Sequence, residues 1–162
     1  MKALGRMALT AVLATGICCS SQQVPSTEGN ARDLEALNAT LAEHVAAVNS
    51  GDTAANLAGF TEDVVYLPPA GPPVRGKHTL ASFVGSFSEA FAAEIEMVPE
   101  ETILMGDWAF QWGALTGTVR PLEGGEGTPL NGKWAYLYQR QPDGTWKIAR
   151  DIYNSEPSAG SE

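Results

Sequence analysis

His44 and Asp151 are the side chains of this sequence best suited to move a proton. An imidazole titrates near neutral pH and can act as general acid or base. Asp151 sits in mid-strand between apolar neighbours, Ala149 and Ile152 among them. A carboxylate there is costly unless it is paired. Two kinds of partner are open to it. His44 would give an acid/base dyad; Arg75 or Arg150 would make the aspartate structural. His44 has its own bland alternative, a helix-face histidine satisfied by water or a carbonyl. His78, just after Gly76-Lys77, reads as a surface or capping residue.

Other chemistries lack their residues. Two histidines at unrelated positions, with Cys18 and Cys19 the only cysteines, make no metal site. No glycine-rich phosphate loop and no Gly-x-Ser-x-Gly occurs; Gly124-Gly125-Glu126-Gly127 is a hairpin tip. No cofactor is called for. A net charge of −9 excludes the basic footprint of nucleic-acid binding and disfavours docking on anionic lipid.

The elements that must position the two residues can be read from periodicity. Leu34, Leu37, Leu41, Val45 and Val48 recur at steps of three and four, predicting a helix over 32–49 that carries His44. Asn49-Ser50-Gly51-Asp52 stops it, and Asp52 or Thr53 caps a short helix over 54–60. A strand follows over 64–67, then a loop made rigid by Pro68, Pro69, Pro72 and Pro73. A third helix over 79–92 has Leu80, Phe83, Val84, Phe87 and Phe91 on its buried side. Four long strands close the chain, over 94–105 (bent near Pro99), 108–120, 130–140 and 146–154. Asp143-Gly144 supplies the last hairpin turn. Helices gathered before a curved antiparallel sheet give an α+β architecture, a sheet wrapped around a long N-terminal helix.

The first residues carry a targeting pattern. Lys2 and Arg6 precede an uncharged apolar run, 7–19, too short to span a bilayer and suited to a signal peptide. Losing Lys2 and Arg6 takes the charge from −9 to −11. Leu13-Ala14-Thr15-Gly16-Ile17-Cys18 is an imperfect lipoprotein box, so Cys18 or Cys19 is a candidate lipid anchor. The divisions are then a signal peptide over 1–19, a flexible tether over 20–31, one domain over 32–155 and a disordered tail over 156–162. The expected location is the cell envelope of a bacterium.

Four strings in order resemble the nuclear-transport-factor-2-like superfamily, the SnoaL and ketosteroid-isomerase group. They are Val48-Asn49-Ser50-Gly51-Asp52, Phe60-Thr61-Glu62-Asp63-Val64-Val65-Tyr66, Pro72-Pro73-Val74-Arg75-Gly76 and the closing hairpin Asp143 to Asn154. The resemblance implies a cystatin-like cone with a hollow at one end. It does not imply one activity, because this fold hosts many. Laid along ketosteroid isomerase, the base position falls on Pro68, the tyrosine position on His44 and the acid position on Tyr136. Proline takes no proton, so that mechanism is not available as drawn.

The same alignment turns three sets of strand residues inward: Phe110, Trp112, Ala114 and Thr116; Trp134, Tyr136 and Tyr138; Ala149, Asp151 and Tyr153. Tyr66 falls near the mouth. The candidate ligand-binding residues are therefore Tyr66, Phe110, Trp112, Trp134, Tyr136 and Tyr153, a lining suited to a small apolar molecule. The alternative is that these rings fill a core or a dimer interface. The superfamily commonly dimerises through the outer face of its sheet, and Leu115, Leu137 and Ile148 are the expected apolar residues there.

Overall fold

A computed structural model describes residues 27–156. The expected signal peptide, the lipidation at Cys18 or Cys19 and all but the first residue of the expected tail lie outside the described residues.

Helix α1 spans Thr27–Ser50 and so begins inside the stretch read as a tether. Its buried stripe is Leu37, Leu41, His44 and Ala47, while Leu34 is 38% exposed. The stripe thus starts one turn later than expected and carries a histidine. Gly51, at φ +70°, ends the helix, and Asp52 N donates back to Ala47 O at 3.0 Å. Asp52 then caps α2 (Thr53–Ala58) by accepting from Ala55 N at 2.9 Å. Strand β1 covers Phe60–Leu67. The proline-rich loop contains a two-residue edge strand, β2 (Val74–Arg75). Helix α3 spans Lys77–Ala90. Four strands follow: β3 (Phe91–Met105), β4 (Trp108–Pro121), β5 (Thr128–Arg140) and β6 (Trp146–Ser155).

The sheet runs in the order β2-β1-β6-β5-β4-β3. All pairs are antiparallel except β1 with β6, which makes the sheet mixed. Helix α1 touches both β3 and β6, three places apart in the sheet, so the sheet curves around it. Part of the bend is set on β3 and β4. The pairing shifts between Pro99 and Glu101, opposite Gly113, where a Cβ would lie 2.0 Å from Val98 O. Only glycine allows the two strands to close up there.

The interior divides into two ends. At the narrow end Leu37, Leu41, Val64, Ala109, Tyr138, Trp146 and Ile148 fill the space between α1 and the sheet. Arg140 closes this end: its two terminal nitrogens meet Asp33 Oδ1 and Oδ2 at 2.8 and 2.6 Å, and its guanidinium lies 4.3 Å over Trp146. The far end is not filled.

Candidate functional site

At the wide end the helices and the inner face of the sheet enclose a cavity of about 490 Å³. Helix α1 contributes His44 and Ala47, and α3 contributes Leu80, Phe83, Val84 and Phe87. The sheet contributes Tyr66, Leu115, Trp134, Tyr136, Asp151 and Tyr153. Phe83, Phe91 and Leu122 are the exposed large apolar residues on its lining, at 42, 39 and 58%.

Asp151 is held by register. It stands opposite Tyr66 on β1 and opposite Tyr136 on β5, and Tyr136 stands opposite Gln111 on β4. Residues directly opposite share a face of the sheet. A single polar row therefore crosses the inner face from Tyr66 through Asp151 and Tyr136 to Gln111. Its Gln111 end is fully bonded. Gln111 donates to Asn38 Oδ1 at 3.0 Å and to Thr102 Oγ1 at 2.9 Å, and accepts from Tyr138 Oη at 3.0 Å. Its Asp151 end is not. Asp151 is 9% exposed, and no described residue donates a hydrogen bond to its carboxyl or forms an ion pair with it. Burial, uncompensated, pushes that carboxyl up to about 7. The nearby charge and burial together raise the Tyr66 and Tyr136 hydroxyls further above their ordinary range, burial being the larger cause.

His44 meets Tyr136, not Asp151. Its Nε2 lies 3.0 Å from Tyr136 Oη, and the rings of Phe60 and Tyr136 stand edge-on to it at 5.6 and 5.7 Å. Burial lowers the imidazole to about 4, with the Asn56 side chain pulling weakly the other way. No bond of normal geometry closes between them, since His44 Nδ1 and Asn56 Oδ1 are both buried without a partner. At neutral pH His44 is therefore an uncharged ring that fixes the Tyr136 hydroxyl.

These facts correct several expectations. His44 and Asp151 form no direct pair, and neither Arg75 nor Arg150 pairs with Asp151. Arg150 instead reaches Asp63 Oδ2 at 4.0 Å. The inward set on β4 is displaced by one residue: Ala109, Gln111, Gly113 and Leu115 are buried, and Phe110, Trp112, Ala114 and Thr116 face outward. Trp112 Nε1 donates to Glu101 Oε2 at 2.8 Å on the exposed side. The reason is space. At Gly113 a Cβ would lie 2.0 Å from Val98 O, so that position takes no side chain, and the rings of Phe110 and Trp112 lie on the outer face. Leu115 and Ile148, expected outside, are buried at 6 and 0%. At Ile148 the cause is a register shift between β5 and β6 that turns two successive residues inward. Tyr66, Trp134, Tyr136 and Tyr153 do line the cavity; Pro68 does not. Sequence reasoning missed the α3 face and Asn56 as parts of the lining. The spacing of Leu80, Phe83, Val84 and Phe87 was visible, but a stripe bordering a cavity looks the same as one packed in a core.

A family model for the SnoaL-like domain matches residues 41–150, more than half of the chain. A ketosteroid isomerase-like protein from Erwinia carotovora atroseptica is similar, with 28% identity over 77% of this chain and 98% of its own and a TM-score of 0.72. A provisionally assigned scytalone dehydratase from Novosphingobium aromaticivorans shares 12% identity, covering 85% of this chain and all of its own (100%), with a TM-score of 0.69. A domain of unknown function with a cystatin-like fold, from Nostoc punctiforme, shares 16% identity over 79% of this chain and 80% of its own at a TM-score of 0.64. No curated protein sequence matches the chain.

Proposed function

The chain belongs to the SnoaL-like domain family, and on that footing we propose that it is an exported pocket protein that binds a small, largely apolar molecule and presents Asp151 to it as a proton-exchanging group. The observation that carries this reading is the unpaired Asp151 carboxyl on the wall of a cavity of about 490 Å³. That volume lies in the ordinary range for small-molecule sites, roughly 300–1,000 Å³. A carboxyl poised at about 7 can give or take a proton at neutral pH. Tyr136, held by His44, and Tyr66 stand on either side of it in the row. Relatives described as ketosteroid isomerase-like or as a dehydratase fit a site of this kind. The basic, then apolar, first residues and the cysteines at 18 and 19 support delivery to the envelope, anchored or free.

Thermal-shift measurement with neutral cage and ring compounds, adamantanol and naphthol, tests the pocket. A bound probe at 100 times its dissociation constant stabilises by about 2.7 kcal/mol. Ser88→Trp, which puts an indole into the lining, should abolish the shift. A shift that survives Ser88→Trp unchanged, or no shift with either probe, removes the pocket from consideration.

The outer face of the sheet supports a second role beside the first. Phe110, Trp112, Ala135 and Ile152 border a shallow apolar groove there, and Ile103, Met105 and Ile152 are 43, 49 and 43% exposed. A second copy docking face to face would cover them, giving a homodimer. Sedimentation at micromolar concentration should then show a dimer that Ile152→Glu converts to monomer; a strict monomer in the unsubstituted protein ends this reading.

A further inference from the structure

Resting on the pocket reading above, we propose that the cavity's ligand is an apolar amine held as its ammonium cation, with the Asp151 carboxylate as counter-ion and the Tyr66, Trp134, Tyr136 and Tyr153 rings as the wall around it.

The first argument is the charge inventory of the lining. Among the described residues no Lys or Arg lines the cavity. Its acidic groups are Asp151 inside and Asp52 at the turn after α1. The remaining titratable groups that face Asp151 are His44 from α1, Tyr66 from β1, Tyr136 and Tyr138 from β5, and Tyr153 from β6. All of these are uncharged at neutral pH. The lining residues of α3, β3 and β4 do not titrate. An anionic ligand would meet no counter-charge and two acidic groups.

The second argument is the missing partner. Toward the other end of the polar row the side chains are bonded within the protein, Tyr136 Oη to His44 Nε2 and Gln111 to Asn38, Thr102 and Tyr138. At Asp151 the bond is left open toward the cavity. Buried carboxylates are stable when paired, and a cation arriving in the cavity supplies the pair, drawing the carboxyl back toward its charged form. Below neutral pH the proton displaced from Asp151 leaves to solvent.

The third argument is the lining's composition. Electron-rich ring faces around a carboxylate stabilise an alkylammonium by cation–π attraction. Apolar walls from α3 accept the remaining hydrocarbon. The net charge of −9 favours approach of cations.

The test compares adamantylamine with adamantanol, which share a cage and differ by the charge. Titration calorimetry at pH 8.5 should give the amine at least tenfold tighter. Between pH 6 and 7 the amine's dissociation constant should fall by up to about tenfold per unit, because the carboxylate must be ionised to pair. The alcohol's should stay level or rise. Asp151→Asn, an isosteric change whose folding is checked by its melting transition, should erase the amine's advantage and its pH dependence. If the alcohol binds as well as the amine, or if Asp151→Asn retains the difference, the amine assignment is wrong while the pocket stands. If neither compound binds at any pH, the pocket itself fails.

Discussion

Two aspartates at opposite ends of the same interior have been treated in opposite ways. Asp33, at the narrow end, receives both terminal nitrogens of Arg140, which in turn stacks on Trp146. That hydrogen bonding holds its carboxyl below the usual range. Asp151, at the wide end, is more deeply buried and receives no hydrogen bond from a described residue, so burial drives it up. The contrast separates a carboxylate that closes the fold from one that the fold leaves unsatisfied. A protein tolerates the second kind where something else pairs with it, and on the proposed reading that partner is a cation in the volume beside Asp151.

The difference has signs that can be measured. Asp151 has a folded pKa of about 7 against an unfolded value near 3.8. Its neutral form is favoured in the fold, so stability is intact below about pH 4 and is lost as pH rises toward 7. The loss is on the order of 4 kcal/mol. His44 runs the other way: its folded value of about 4 lies below 6.5, so acidification from 6.5 to 4 costs stability. In the unsubstituted protein the two slopes oppose each other between pH 4 and 6.5. Asp151→Asn exposes them. Chemical denaturation should find the variant close to the parent at pH 4 and more stable at pH 8 by up to that amount, less what the buried amide costs. Equal stability across the range would mean that Asp151 is paired in solution. Asp33 should add a further loss only as pH falls through its lowered pKa.

A smaller contrast follows from packing. Leu37 is fully buried at the filled end, and Val84 borders the cavity. Removing atoms from a filled region costs both their transfer energy and a new void, whereas beside an existing cavity the void is already there. Leu37→Ala should therefore destabilise by about 3–4 kcal/mol and Val84→Ala by about 1 kcal/mol, read as shifts in denaturation midpoint at constant slope. Equal costs, after allowing for the smaller side chain, would show that the wide end is packed as tightly as the narrow one.

The helices, the strand order along the chain and the closing hairpin were legible because each depends on local pattern. The apolar stripe of α1, the glycine and proline breaks and the Asp143-Gly144 turn act over a few residues. The pairing of β1 with β6 was less so, being parallel and set by residues far apart in sequence. So was the inward face of β4. The family alignment turned Phe110 and Trp112 inward, and nothing local revealed that Gly113 sits at a point where β3 folds against its neighbour.

The sequence by itself determined the α+β order, the family and the acidity, since composition, period and motif are properties of the chain. Only the tertiary structure decided which partner each residue met. His44 went to Tyr136 and Asp151 to no described residue, because the bend of the sheet sets the distances between side chains on different elements, and an unfilled volume is a property of how surfaces meet.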